Sequence, residues 1–151
     1  MEATKTVIVR QYAYDDFSDV LNLIEEFHKE SVEEYGLRCE RSQLEKAVQD
    51  NKANGLVLEM DGKIVGLIAG KVVDYPLQTT KIFQETIWFV SKNYRRYGLM
   101  LLKELEKRCK SQGIGMVIMV ALGSSMKDKL DRVYKMMGYR ELETHYIRVI
   151  E

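Results

Sequence analysis

The chain has 151 residues, 46% hydrophobic and 30% charged, and its 23 basic and 23 acidic side chains cancel to a net charge of zero. That length buries a sizeable core without disulfide or metal staples, and the neutral balance excludes attraction of the whole surface to nucleic acid, so any anion site has to be local. No apolar run reaches the roughly 18 residues of a membrane span, the opening MEATKTVIVRQ lacks the apolar stretch of a secretory signal, and Cys39 and Cys109 have neither metal-ligand nor redox-motif spacing, which predicts a reducing, cytoplasmic setting.

Residues 6–12, TVIVRQY, are rich in β-branched side chains and predict a strand. Asp15 or Asp16 can cap the helix that follows, in which Phe17, Val20, Leu21, Ile24 and Phe27 recur at helical spacing opposite Glu25, Glu26, Lys29 and Glu30. Ser42 and Glu45 have capping-box spacing, so a second helix is predicted over 42–54, with Leu44, Ala47 and Val48 inward and NKANG (51–55) at its end. LVLEM (56–60), Asp61-Gly62 and KIVGLIAGKVV (63–73) predict a hairpin, since Asp-Gly supplies the positive φ angles of a two-residue turn.

After a loop around Pro76, KIFQETIWFV (81–90) predicts a long strand. Leu101, Leu102, Leu105 and Cys109 give the next helix a buried stripe, closed by SQGIG (111–115). MVIMVAL (116–122) is continuously apolar and predicts a strand buried on both faces. MKDKLDRVYKMMGY (126–139) predicts a short helix stopped by Gly138, and RELETHYIRVI (140–150) a last strand. There is no internal repeat or linker, so residues 1–151 read as one α/β domain: a mixed, mostly antiparallel central sheet flanked by helices on both faces.

The stretch NYRRYGLMLL (93–102) places two arginines and a tyrosine where a buried strand hands over to a helix. A helix start leaves backbone N–H groups without partners, and the macrodipole adds positive charge there. A phosphate fits such a place, a glycine lets backbone approach it closely, and Arg95 and Arg96 add charge. On charge alone, a solvated loop accounts for the stretch equally well. The nucleotide P-loop pattern is absent, and only Gly98 stands where a dinucleotide fingerprint needs three glycines.

VSKNYRRYGLMLL (90–102) resembles the acetyl-coenzyme A loop of the GNAT family of N-acetyltransferases. That pattern is Arg or Gln, two residues, Gly, any residue, then Gly or Ala, with an apolar strand residue five positions before. Val90, Arg95 and Gly98 fall in register, and Met100 replaces the last small residue. VYKMMGY (133–139) resembles the family's Leu-Tyr-x-x-x-Gly-Phe element through Tyr134, Gly138 and Tyr139, with Lys127 where the family often has Asn. The predicted element order matches the family along nearly the whole chain. The ending GYRELETHYIRVI and the strand TIWFV look most like small members encoded by bacteriophages, which would place the protein in a host cytoplasm.

The resemblance implies the acyl-CoA N-acyltransferase fold and transfer of an acetyl group from acetyl-CoA to a primary amine, by direct attack in a ternary complex. It implies a pantetheine arm paired with backbone at Phe89 and Val90, and a pyrophosphate on the N–H groups of Arg96, Tyr97, Gly98, Leu99 and Met100 beside Arg95. It implies Tyr134 as donor to the leaving thiolate. Full proton transfer from a phenol to a thiolate is uphill by about 2 kcal/mol, which favours hydrogen bonding. Dimers are common in the family, so a homodimer is one expected arrangement. No metal, nucleic acid or membrane is expected.

The amine has to be neutral to attack, and deprotonating a lysine-like amine at pH 7 costs roughly 4.6 kcal/mol, which favours a general base. Glu85, on the strand leading into the loop, is the candidate. Related enzymes often place the base one residue earlier, at Gln84 here. Neighbours on a strand face opposite sides, so only one of the pair can face the cleft unless a bulge intervenes. A solvated or structurally paired carboxylate is the plain alternative for Glu85, as a packing tyrosine is for Tyr134. His28 and His145 read as boundary and sheet-surface residues, and Met116, Met119, Met136 and Met137 as core filler.

Two other readings share the fold: a coenzyme A-binding module without turnover, and an interaction scaffold without cofactor. The acceptor is open among protein N-termini, lysines, polyamines and aminoglycosides. The acidic run 25–36 favours a cationic amine, although such runs are commonly solvated helix faces.

Overall fold

A computed structural model of the protein describes residues 5–51, 54–123 and 126–151. Its centre is a five-stranded sheet in which chain order and spatial order coincide. β1 (Val7–Gln11), β2 (Gly55–Met60), β3 (Lys63–Asp74) and β4 (Lys81–Val90) pair antiparallel, each with the next. β5 (Met116–Ile118) joins β4 in parallel. The helices are α1 (Phe17–Ser31), α2 (Arg41–Asn51), α3 (Gly98–Ser111) and α4 (Lys127–Met136).

Strand alternation sends the apolar residues of the central strands into two separate cores. Val57, Ile64, Leu67, Ile87 and Phe89 meet Val20, Leu21 and Leu23 of α1 and Leu44 and Val48 of α2 on one face. Leu56, Leu58, Val65, Ile68, Phe83 and Val90 meet Leu101, Leu102, Leu105 and Cys109 of α3 and Tyr134 of α4 on the other. β2 and β3 as far as Gly70 thus read as apolar almost throughout, because both of their faces are covered there, whereas Lys71, Val72, Val73 and Asp74 are exposed.

Local signals in the sequence are carried out at two turns. Asp61 and Gly62 take φ values of 49° and 83°, and Met60 pairs with Lys63 across the turn. At the end of α4, Gly138 has φ 91°. The Tyr139 N–H donates to the Tyr134 carbonyl at 2.9 Å and the Gly138 N–H to Lys135 at 3.1 Å, the crossed pair of a Schellman cap.

Other expectations are corrected. The residue before α1 is Asp16, but its carboxylate makes no cap bond; it accepts the Ala13 N–H at 2.7 Å and both terminal nitrogens of Arg10 at 2.7 and 2.8 Å. Those bonds hold Asp16 below the usual carboxylate range despite its burial. α2 begins at Arg41, one residue before Ser42, so Ser42 lies inside the helix; the predicted stop at 51–55 falls partly outside the described residues. Met116 and Met136 are exposed.

The two largest differences concern β structure. β5 stops at Ile118 and none of its three residues is fully buried. Residues 119–122 leave the ladder, and Val120 and Leu122 face a cleft. Residues 140–150 form no strand among the described residues, and Leu142, Tyr146, Ile147, Val149 and Ile150 are exposed. A strand exists only against a neighbour, and this segment has the alternating composition without the ladder.

Candidate active site

The site begins where β4 and β5 part. Their pairing covers only Ile82–Met116, Phe83–Val117 and Gln84–Ile118. From Glu85 to Val90 that edge of β4 has no strand beside it among the described residues, while its other edge stays paired with β3 as far as Gly66–Val90. The gap is a cavity of about 420 Å3. β4 forms one wall from Glu85 to Val90, Val120 and Leu122 the opposite wall, and α4 adds Lys129, Leu130 and Val133. The start of α3 closes one end with Gly98 and Leu99, and Arg95 and Arg96 stand beside it.

A bulge decides which of Gln84 and Glu85 faces this cavity. Ala69 of β3 pairs with Ile87, and Gly70, the next residue, pairs with Glu85, so Thr86 is one residue in excess. Its hydroxyl donates to the Ala69 carbonyl at 3.1 Å. Across the extra residue the alternation changes phase: Ile87 packs on the α1–α2 side, whereas Phe83 packs on the α3 side. Glu85 goes with Phe83, buried and lining the cavity, and Gln84 is exposed. Gly70 permits the arrangement, because a Cβ there would overlap the Gln84 carbonyl oxygen and the Phe83 ring.

Glu85 is 8% exposed, and burial alone pushes its pKa up to about 8. Desolvation penalises the charged form, and among the described residues no cation offsets it. A carboxyl whose affinity for a proton is raised toward neutrality approaches what a general base needs. Nearby, Tyr134 is buried behind the cavity wall, its ring 6.0 Å from Trp88 and 5.6 Å from Tyr139. Burial first, and the Glu85 and Tyr139 charges second, raise its phenol far above the ordinary value. The Tyr134 hydroxyl donates to the Val120 carbonyl at 2.7 Å, so its proton is already committed.

At the other end, residues 92–97 form 3-10 turns that deliver the chain into α3, whose first residue is Gly98. Gly98 has an ordinary helical φ of −59°, so no positive φ calls for glycine here. Its added Cβ would meet Val90 at 3.5 Å and Trp88 at 4.0 Å, ordinary contacts. What glycine provides is room in the cavity wall at the helix start, where its own N–H donates to the Arg95 carbonyl within the 3-10 turns. The Trp88 indole N–H donates to the Gly98 carbonyl at 3.3 Å and fixes that wall.

Of the expected site residues, Glu85, Phe89, Val90, Arg95, Arg96, Gly98 and Leu99 line the one cavity. Tyr134 lies behind its wall, Tyr97 packs under the Arg96 guanidinium at 4.7 Å, and Met100 points outward at 40% exposure. The exposed Met100 shows why a bulky residue is accepted there. Sequence reasoning missed Trp88 and Val120, which have no polar pattern of their own, and Glu30, whose carboxylate meets Arg95 across 65 residues of chain. His28 borders a separate surface depression with Cys39, and His145 pairs with Glu143 at 3.0 Å in the exposed tail. Among the described residues, no three His, Cys, Asp or Glu side chains are placed to hold a metal ion, and no helix is long and apolar enough to cross a membrane.

A mixed sheet with a parted strand pair, a helix start aimed into the gap and helices on both faces is the acyl-CoA N-acyltransferase fold. The family model described as acetyltransferase (GNAT) family matches residues 17–139, and the chain belongs to that family. Among solved structures, it is similar to an aminoglycoside acetyltransferase from an uncultured soil metagenomic sample, with a TM-score of 0.73 and 18% identity over 97% of this chain and 99% of that one. A ribosomal-protein-alanine N-acetyltransferase from Brucella melitensis biovar Abortus 2308 gives 0.74 and 15% over 95% and 99%. An aminoglycoside N-acetyltransferase in complex with CoA gives 0.74 and 11% over 99% and 98%. No curated protein matches the chain by sequence.

Proposed function

We propose that the protein moves an acetyl group from acetyl-CoA to a primary amine, by direct attack within a ternary complex. The observation that carries this reading is the unpaired edge of β4, which begins at a buried carboxyl and ends at a helix start flanked by two arginines. The pantetheine arm would lie along that edge like an added strand, near Phe89 and Val90. The pyrophosphate would rest on the N–H groups of Arg96, Tyr97, Gly98, Leu99 and Met100, with Arg95 and Arg96 alongside.

Glu85 would take the proton of the incoming ammonium, directly or through water, at the end of the gap remote from the arginines. Its raised pKa lets it accept that proton near neutral pH. Tyr134 would act by hydrogen bonding to the departing thiolate. Its raised pKa argues against complete proton transfer, and its hydroxyl would first turn from the Val120 carbonyl. No covalent enzyme intermediate is required: Cys109 is buried with a raised pKa, and Cys39 is outside the cavity.

Aminoglycosides and protein amines are both reasonable acceptor classes, given the names of the structural neighbours. The two free thiols fit a reducing cytoplasm, and the closing residues 138–150 support a bacteriophage-type member acting in its host. A homodimer belongs to the same reading.

One observation favours a second reading, a CoA-binding module without turnover: the commitment of the Tyr134 proton to Val120. The test is calorimetric titration of acetyl-CoA into the wild type and into an Arg95→Ala, Gly98→Asp double variant, followed by thiol release over a panel of amines. Wild-type binding that the folded variant loses, with thiol release on some amine, supports the enzyme. Binding without release on any amine supports the module. No wild-type binding at millimolar acetyl-CoA rejects both.

A further inference from the structure

The two loop arginines stand in different surroundings. The Arg95 guanidinium holds both carboxylate oxygens of Glu30 on α1, at 2.7 and 2.8 Å from Nη2. Its Nε donates to the Val90 carbonyl at 3.1 Å, its Nη1 lies 3.6 Å from the Met126 sulfur, and its centre sits 5.7 Å from the Phe89 ring. One helical turn earlier on α1, Glu26 accepts the Ser91 hydroxyl at 3.2 Å. Two carboxylates four residues apart on α1 therefore meet two loop positions four residues apart. Arg96 has no carboxylate partner among the described residues; it is exposed, lines the cavity and lies over the Tyr97 ring at 4.7 Å.

For Arg95 to reach a phosphate it would break a two-pronged bond to a carboxylate and release the Val90 carbonyl. The exchange replaces charge-assisted hydrogen bonds with others of the same kind. Arg96 has no such bonds to lose. We propose that the arginines divide their work: Arg95 ties the loop to α1 with Glu30 as positioning residue, and Arg96 is the cation that meets the phosphates of CoA. The division rests on the cofactor reading above. The lone pair left on the Val90 carbonyl stays open to an amide of the cofactor. It also joins α1, which walls the cavity through Phe27, to the loop that holds the cofactor.

The experiment is calorimetric titration of CoA, with circular dichroism to confirm folding. Arg95→Glu and Glu30→Arg should each weaken binding at least tenfold, and the double exchange should return it to within about threefold of wild type. Arg96→Gln should lose at least tenfold and Arg96→Lys little. If Arg95 itself contacted the phosphates, the double exchange would put a carboxylate against them and would bind as weakly as Arg95→Glu. That result overturns the inference, as does unchanged binding by Arg96→Gln. Failure of the wild type to bind CoA rejects the cofactor reading itself, and the inference with it, and is distinguishable because it needs no variant.

Discussion

The two sides of β4 are built on opposite terms. Toward β3, β4 is paired from Lys81 to Val90 apart from the bulge, and the hairpin beyond it is sealed by cores on both faces. Toward β5 it is paired over three residues and then abandoned, and the vacated edge holds the buried acid, the cavity and the helix start. The paired side holds the strand in register while the other edge is left open. Backbone groups on an open edge can read a ligand only if the strand carrying them does not move, so the closed side is what makes the open side usable.

The largest effect expected on the open side is from Glu85→Gln, which removes the proposed base with little change of shape. It should lower kcat/KM for the accepted amine by about 10^2- to 10^4-fold with acetyl-CoA affinity retained. The wild-type pH profile should rise through an apparent pKa near 8, and the variant's should lose that limb. The same substitution sharpens the comparison through stability. The folded-state pKa of Glu85 is raised, so the folded protein binds the more protons above the unfolded carboxyl's pKa. Glu85 therefore costs stability progressively as pH rises from about 4.5 to about 8. Melting of Glu85→Gln at several pH values should lack that decline; a parallel curve would mean that Glu85 is solvated.

On the closed side, Leu58→Ala should cost about 2–5 kcal/mol of stability, since Leu58 is fully buried in β2. Acetyl-CoA affinity per folded molecule should not change, and denaturant titration beside calorimetry separates the two. Gly70→Ala tests the joint between the sides. Relief of the Cβ overlap with Gln84 should cost about 1–3 kcal/mol. By shifting the bulge it should also lower kcat more than it raises KM for acetyl-CoA. A variant with normal kcat would show that the bulge does not aim Glu85. The smallest effect is expected from Gly138→Ala at the end of α4, where an added Cβ meets nothing but is strained at φ 91°, and it should lose about 1 kcal/mol in a thermal melt.

Periodicity and local chemistry were enough wherever a residue's role depends on its near neighbours. The Asp61-Gly62 turn, the stripe Leu101, Leu102, Leu105 and Cys109, the stop at Gly138 and the arginine loop before α3 all stand where the sequence puts them. Ser42 misled because a capping box reads the same one residue inside a helix. MVIMVAL and RELETHYIRVI misled for a different reason: strand composition is written in the segment, but a strand is made by its neighbour. Trp88 and Glu30 carried no signal, since each acts through a partner remote in sequence or on another element.

The sequence by itself determined the four helices, the strands β1 to β4 and the position of the arginine loop before α3, where contacts within a few residues decide the outcome. Only the tertiary structure decided three things: that β4 turns Glu85 rather than Gln84 inward, that Tyr134 points at Val120, and that Arg95 is already held by Glu30. A single extra residue in a strand reverses the facing of every side chain before it. Such a bulge is set by how β3 and β4 fit together, as at Gly70 against Gln84, and neither strand's pattern announces it alone.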